Sequence, residues 1–313
     1  MHVLVTGAGG FVGRGLVHRL LATTPKEKGH AVTSITLLDM AVSPIDDPRV
    51  RIIEGDLTDP AVLNSAMSGH VDVVYHLASV PGGTAEQNVE LGRRVNLDGT
   101  LQLLDACRRA DNAPKFVFAS SIAVYGDAFP HEMDEATPAR PATSYGAQKL
   151  IGEILVSDAT RRGELNGCSL RLPGVVARPA GPSGLVSAFM SNLFWALRDG
   201  TPITLPVSET AQAWWISRTR CVENLLHAGG AEFASASRDA FVMPVLRLSI
   251  GELLNALGER FGRERLDLVR FEPQPRVQAL FGSYPVLRTP IAEAAGFRND
   301  GSVQDLLARI FDD

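Results

Sequence analysis

HVLVTGAGGFVGRGLVHRLLA, residues 2–22, decides the fold. It opens with a β-branched run, turns through Gly7, Gly10 and Gly13, and continues through Phe11 and Val12 into an amphipathic pattern of helical period. Glycine allows the chain to turn tightly and lets its backbone approach a pyrophosphate, whose charge the following helix N-terminus favours. A glycine triplet alone says little. Here a strand precedes it, a helix follows it, and Asp39 in LLDM ends the next strand pattern. A carboxylate there accepts hydrogen bonds from the adenosine ribose hydroxyls and repels a 2′-phosphate, so the expected cofactor is NAD.

Working outward, short apolar runs alternate with helical patterns: SITLLD, VRIIEGD, VDVVYHLA, a long helical stretch through LGRRVNLDGTLQLLDACRRA, then KFVFASS. Such alternation implies βαβ units and a Rossmann-type doubly wound parallel sheet in an α/β protein. Asp56 and Leu57 in GDLTD follow the third strand, where an adenine would lie. Leu77, Ala78 and Ser79 in HLAS follow the fourth, beside the pyrophosphate and nicotinamide ribose. TPKEKGH reads as a surface loop. After SLRLPGVV the alternation stops at the Pro/Gly-rich ARPAGPSG. The expected division is a cofactor domain over residues 1–172, with part of 203–245 returning to it. Residues 173–313 then form mainly a smaller substrate lobe, closing a cleft over the sheet's carboxyl edge.

The 313 residues carry a net charge of −5 with no basic run, which argues against nucleic acid and anionic membrane partners. The opening apolar run is too short for a signal peptide and no later stretch approaches a membrane span, so a cytoplasmic location is expected. Cys107, Cys168 and Cys221 are scattered and odd in number, as reduced thiols are, and no Cys/His spacing suits a metal.

KFVFASSIAVYG ends the fifth strand with Ser120 and Ser121, and TSYGAQK, residues 143–149, begins a helix carrying Tyr145 and Lys149 at i and i+4 on one face. A lysine ammonium and an oxidised nicotinamide both favour phenolate, bringing tyrosine toward general-base chemistry. Ser121 could hold the same substrate oxygen. Ser120 suits a strand-end cap as well as a participant, and Tyr125 suits packing.

TGAGGFVG, GDLTD, HLA, RVNLDGT, SSIAVYG, YGAQK and LRLPG occur in the order and spacing of the extended short-chain dehydrogenase/reductase family, which the chain resembles over roughly its first 180 residues. The resemblance implies Tyr145 as proton acceptor and Lys149 holding the nicotinamide ribose while lowering the tyrosine pKa. It also implies Ser121 as partner of the substrate hydroxyl, Asn96 as support near the cofactor, and Pro173 with Gly174 near the nicotinamide. Family dehydratases carry an acidic pair where this chain has Ser121, Ile122 and Ala123; family epimerases carry a diphosphate-gripping arginine where it has Ala213. What stands there instead resembles the dehydrogenase branch acting on small hydroxy acids, implying oxidation of the 2-hydroxyl of a four-carbon sugar acid such as D-erythronate. Oxidation of L-threonine, nucleotide-sugar epimerisation and a non-enzymatic NAD-binding scaffold stand as alternatives.

A carboxylate substrate calls for a partner, and Arg178 in ARPAG is the first candidate, with Ser183, Gly184 and Arg218 after it. Arg178 suits a structural ion pair equally well. Trp214 and Trp215 are expected to pack, with at most one facing a cleft. Family members often dimerise through the helix carrying Tyr145, and the apolar positions of LIGEILV permit a homodimer or a monomer's core.

Overall fold

The computed structural model describes residues 1–22, 31–110, 112–179, 186–233 and 240–312. TPKEKGH, Ser183 and Gly184 lie outside the described residues. The chain divides into two compact units: residues 1–124, 139–172 and 222–242 form the first, and residues 125–138, 173–221 and 243–313 the second. Residues 125–138 thus depart from the expected domain of residues 1–172. Glu132–Asp134 inside that stretch pairs in parallel with Val286–Arg288, far along the chain.

The first unit is built on seven strands: β1 (His2–Thr6), β2 (Ser34–Asp39), β3 (Val50–Glu54), β4 (Val73–His76), β5 (Lys115–Ser121), β6 (Asn166–Leu172) and β7 (Ala240–Val242). Their order is β7-β6-β5-β4-β1-β2-β3, with every neighbouring pair parallel. This is the expected doubly wound sheet, and its order reverses between β1 and β4. β1, β2, β4 and β5 are buried almost throughout, which is why they read as unbroken apolar runs rather than as alternation.

Helices α1 (Phe11–Ala22), α2 (Pro60–Ala66), α3 (Gly99–Ala110) and α4 (Ser144–Arg161) complete the crossovers. On one face Leu4, Leu38, Leu57, Leu63, Phe116 and Phe118 pack with side chains of α2, α3 and α4 into a continuous core. Thr143 caps α4, its hydroxyl accepting from the Gly146 amide at 3.0 Å. A Cβ at Gly152 would press into the Phe118 ring, so glycine there lets α4 lie close against β5. The α4 face turned inward carries Gln148, Lys149 and Glu153, polar residues in a position that packing alone would fill with apolar ones. Within LIGEILV, Val156 is core while Ile151 and Ile154 are exposed.

The long helical stretch expected before β5 is not uniform. Arg93–Asp98 winds as a π-helical turn between Val89–Gly92 and α3, and Asn96 is buried within it. A π-turn admits one extra residue per turn and re-aims its side chains.

In the second unit Gln212–Ser217 pairs in parallel with Gly174–Val176 and antiparallel with Leu246–Ser249, while Ile203–Leu205 pairs with Val269–Phe271. Helix Ile250–Phe261 starts at a capping box formed by Ser249 and Glu252. Trp214 and Trp215 are both buried on their strand. Their ring N–H groups donate to Pro285 O at 2.8 Å and Leu248 O at 3.2 Å, so both pack, on opposite faces. Tyr125 is buried as well.

Candidate active site

The β1–α1 turn sits at the carboxyl end of β1, beside the point where the sheet order reverses. Gly7 has φ +72°, and a Cβ there would overlap the Ala78 backbone nitrogen at the end of β4. Only glycine serves at that position. Gly10 closes the turn by donating to Gly7 O at 3.1 Å, and Phe11, Val12 and Gly13 form the first turn of α1. Asp39 ends β2 with its carboxylate held by the backbone: Oδ2 accepts from the Gly9 amide at 2.9 Å and Oδ1 from the Met40 amide at 2.7 Å. Each oxygen keeps acceptor capacity for a hydroxyl. A close-fitting backbone turn at a helix N-terminus beside a fixed carboxylate fits the pyrophosphate and ribose of NAD.

Asp56 accepts from the Thr58 amide at 2.8 Å and the Thr58 hydroxyl at 2.7 Å, with Arg94 at 3.2 Å from its other oxygen. The Thr58 amide, helped by the Thr58 hydroxyl and Arg94, holds its carboxyl below the usual range. Leu57 is buried, and Leu77, Ala78 and Ser79 are half-buried after β4.

Asn96 is tied down on every side. Its Oδ1 accepts from the Val80 amide at 2.7 Å and the Ser79 hydroxyl at 3.1 Å. Its Nδ2 donates to Val80 O at 3.1 Å and Gln148 Oε1 at 2.8 Å. The residue fastens the loop after β4 to α4. A second polar chain reaches it from beneath: the Ala78 amide donates to Thr6 Oγ1 at 3.3 Å, and Thr6 lies 2.7 Å from His76 Nδ1. His76 Nε2 lies 2.9 Å from Thr100 Oγ1, which donates to Asn96 O at 2.7 Å. Because the Thr100 proton points to Asn96, Nε2 of His76 must carry a proton and Nδ1 must accept from Thr6. Burial, with a contribution from the Lys149 charge, lowers His76 to about 3, so it is neutral at any ordinary pH. Its ring stacks on Phe118 at 5.6 Å between centroids.

Lys149 is 2 % exposed, with Nζ 4.9 Å from the Phe118 ring centroid and 5.7 Å from that of Tyr145. Burial lowers its ammonium to about 7, opposed by the Glu153 carboxylate. Tyr145 is half-buried at the start of α4, next to the helix beginning at Gly82. Ser121 ends β5 with its Oγ accepting from the Ala123 amide at 3.1 Å, which leaves its proton to donate. That turn packs on the start of α4, since a side chain at Gly146 would collide with Ala123 O. Ser120 turns the other way: it is buried and donates to Glu153, which Arg171 grips at 2.7 Å.

Thr6, His76, Thr100, Gln148, Glu153 and Arg171 join the site only through contacts made in the folded chain. The buried polar positions on α4 were the available signal, because helical period puts Lys149 and Glu153 on one inward face.

In the second unit Pro173 is buried and Gly174 begins a strand. Arg178 is exposed; its amide donates to Ser191 Oγ at 3.0 Å and its carbonyl accepts from Trp195 Nε1. A small cavity is lined by Gly174–Val176, Arg178, Ser187 and Asn192, among others. Arg218 opens a helix, and Ala213 is fully buried. The three cysteines are buried, free thiols that burial pushes up to about 12.

A doubly wound sheet with a glycine turn at its switch point defines a dinucleotide-binding α/β protein. The chain belongs to the NAD dependent epimerase/dehydratase family, whose profile matches residues 3–230, and it is an NAD-dependent oxidoreductase. It is 37% identical over 321 aligned residues to D-erythronate dehydrogenase of Cupriavidus necator, covering 100% of this chain and 98% of that one. A second D-erythronate dehydrogenase, from Haemophilus influenzae, is 29% identical over 100% of this chain and 99% of its own. Among solved structures, one described as the nucleoside-diphosphate-sugar epimerase from Agrobacterium tumefaciens superposes with TM-score 0.92 at 33% identity, covering 100% of this chain and 94% of that one.

Proposed function

We propose that the protein oxidises the 2-hydroxyl of a small sugar acid to a 2-oxo acid, with D-erythronate as the substrate. The observation that carries the chemistry is the buried Lys149 ammonium on α4, 4.9 Å from the Phe118 ring centroid and 5.7 Å from that of Tyr145. A buried cation beside a tyrosine favours phenolate, which makes Tyr145 a base at neutral pH. Tyr145 removes the hydroxyl proton while the Ser121 hydroxyl holds the same oxygen. NAD, when bound, supplies the acceptor for the hydride that leaves the same carbon. Asp39 and the turn from Gly7 to Gly13 hold its ribose and pyrophosphate, and Asn96 keeps the loop of Ser79 in place beside it. Arg178 is the proposed partner of the substrate carboxylate.

The choice of substrate rests on full-length similarity to two D-erythronate dehydrogenases. A second reading, nucleotide-sugar epimerisation, draws on the name of the Agrobacterium protein. This chain's own residues speak against it: position 213 is a buried alanine where family epimerases place a diphosphate-gripping arginine. Oxidation of L-threonine is the other small-substrate reading.

NADH formation over a panel of D-erythronate, D- and L-threonate, L-threonine and a UDP-hexose tests the proposal. D-Erythronate is expected to give the highest kcat/KM, and the UDP-hexose no turnover. Turnover of L-threonine alone, or of the nucleotide sugar, would overturn it.

A further inference from the structure

α4 presents Tyr145, Lys149 and Glu153 at successive i+4 steps along one face. Two alternate residues of β5 meet that face: Phe118, whose ring lies under the Lys149 ammonium, and Ser120, whose hydroxyl donates to Glu153. Ser120 is paired in register with Arg171 on β6, which brings the guanidinium to the same carboxylate. Arg171 Nη2 reaches Glu153 Oε2 at 2.7 Å, and its Nε lies 3.0 and 3.2 Å from the two oxygens. Glu153 is 3 % exposed and Lys149 2 %. A cation and an anion are therefore buried one helical turn apart, with the partly buried Arg171 guanidinium against the anion from the neighbouring strand.

We propose that Glu153 is a positioning residue: its carboxylate, fixed by Arg171 and Ser120, holds Lys149 in the charged form that a tyrosine base needs. The proposal rests on the roles given above to Tyr145 and Lys149. A buried glutamate–arginine pair contributes little net stability by itself, since desolvation offsets most of the attraction. Its effect on a third charge is a different matter. Burial alone drives a lysine neutral, and a neutral Lys149 could not stabilise a Tyr145 phenolate. Among the described residues, Tyr145 on the same helix, Arg171 on β6 and His76 on β4 also bear on the pair. His76 is neutral and Arg171 carries the same sign as Lys149, so Glu153, buried one turn along the same face, is the carboxylate that opposes the burial penalty on Lys149.

The chain contains four lysines, Lys26, Lys28, Lys115 and Lys149, so a carbon-13 label at lysine Cε gives a short spectrum that can be titrated in the full chain without cofactor or substrate. Lys149→Met assigns the resonance. Glu153→Gln is expected to lower the Lys149 midpoint by about one pH unit or more, a roughly tenfold fall in its charged-to-neutral ratio at a given pH. Arg171→Met, which frees the carboxylate to act on Lys149 alone, is expected to raise it. In wild-type and variant enzyme the acid limb of kcat/KM should follow, moving up in Glu153→Gln and down in Arg171→Met.

A midpoint within about 0.3 unit of wild type in either folded variant overturns the proposal and leaves Glu153 a packing residue. If Glu153→Gln does not fold, Arg171→Met alone decides by the sign of its shift. Midpoints that move while the acid limb stays fixed would confirm the hold of Glu153 on Lys149 and reject the part that Lys149 plays in the proposed chemistry.

Discussion

The ammonium of Lys149 lies 4.9 Å from the centre of the Phe118 ring, so the cation of α4 rests on the sheet rather than in solvent. That placement fixes which side of the helix faces the chemistry and exposes Lys149 to a large desolvation cost.

Tyr145→Phe keeps the half-buried ring and removes the oxygen assigned as base. It is expected to lower kcat by roughly 10²–10⁴-fold while leaving NAD binding and the melting temperature near wild type. Isothermal titration with NAD and steady-state kinetics on the same preparation check this. Near-normal turnover would falsify the assignment.

Lys149→Met should abolish most activity and yet stabilise the protein. Burial lowers the folded-state ammonium from 10.5 to about 7, so between those values the unfolded chain binds a proton that the native chain has released. Wild-type stability therefore rises with pH through that window, and the burial cost is felt near pH 7 and below. The methionine variant removes the cost and leaves Glu153 and Arg171 balanced, for a gain of about 1–2 kcal/mol at pH 7. Urea unfolding at pH 7 and 9 without cofactor measures it; the gain should shrink at the higher pH.

His76 works in the opposite range. Its folded value of about 3 lies below its ordinary 6.5, so as pH falls below about 6.5 the unfolded state takes up a proton that the native state refuses. Its contribution to stability is complete above that value and declines at up to about 1.4 kcal/mol per pH unit on acidification. His76→Gln should be less stable at pH 7, through the loss of the Thr6–His76–Thr100 chain, but should show a shallower fall between pH 7 and 5. Parallel slopes for the two proteins would contradict the neutral, buried imidazole.

Asp39→Ala should relax the preference for NAD over NADP by about tenfold or more in the ratio of kcat/KM values, because the carboxylate that repels a 2′-phosphate is gone. Gly9 and Met40 also lose their acceptor, so a lower melting temperature should accompany the change. Unaltered discrimination would place the selecting group elsewhere.

The features legible in the sequence were those whose signals are local. Gly7, Gly10 and Gly13 fall within a few residues of the strand and helix that give them meaning, and Tyr145 and Lys149 are joined by helical period alone. The π-turn around Asn96 left no comparable mark, because its cause is a set of bonds to Val80, Ser79 and Gln148 on other elements. Local pattern places residues 125–138 with their neighbours in sequence, whereas their strand pairs with Val286–Arg288. Ser120 and Ser121 look alike in the sequence, and the pleat of β5 sends one inward to Glu153 and leaves the other at the turn before α4.

The sequence by itself determined the doubly wound sheet, the glycine turn with its carboxylate, and the tyrosine and lysine on one helical face, since each follows from the period or conformational freedom of residues close along the chain. Only the tertiary structure decided what surrounds Lys149. The cross-strand register that sets Arg171 beside Ser120, and the close approach of α4 that carries Glu153 to both, depend on segments that meet only when the sheet is assembled.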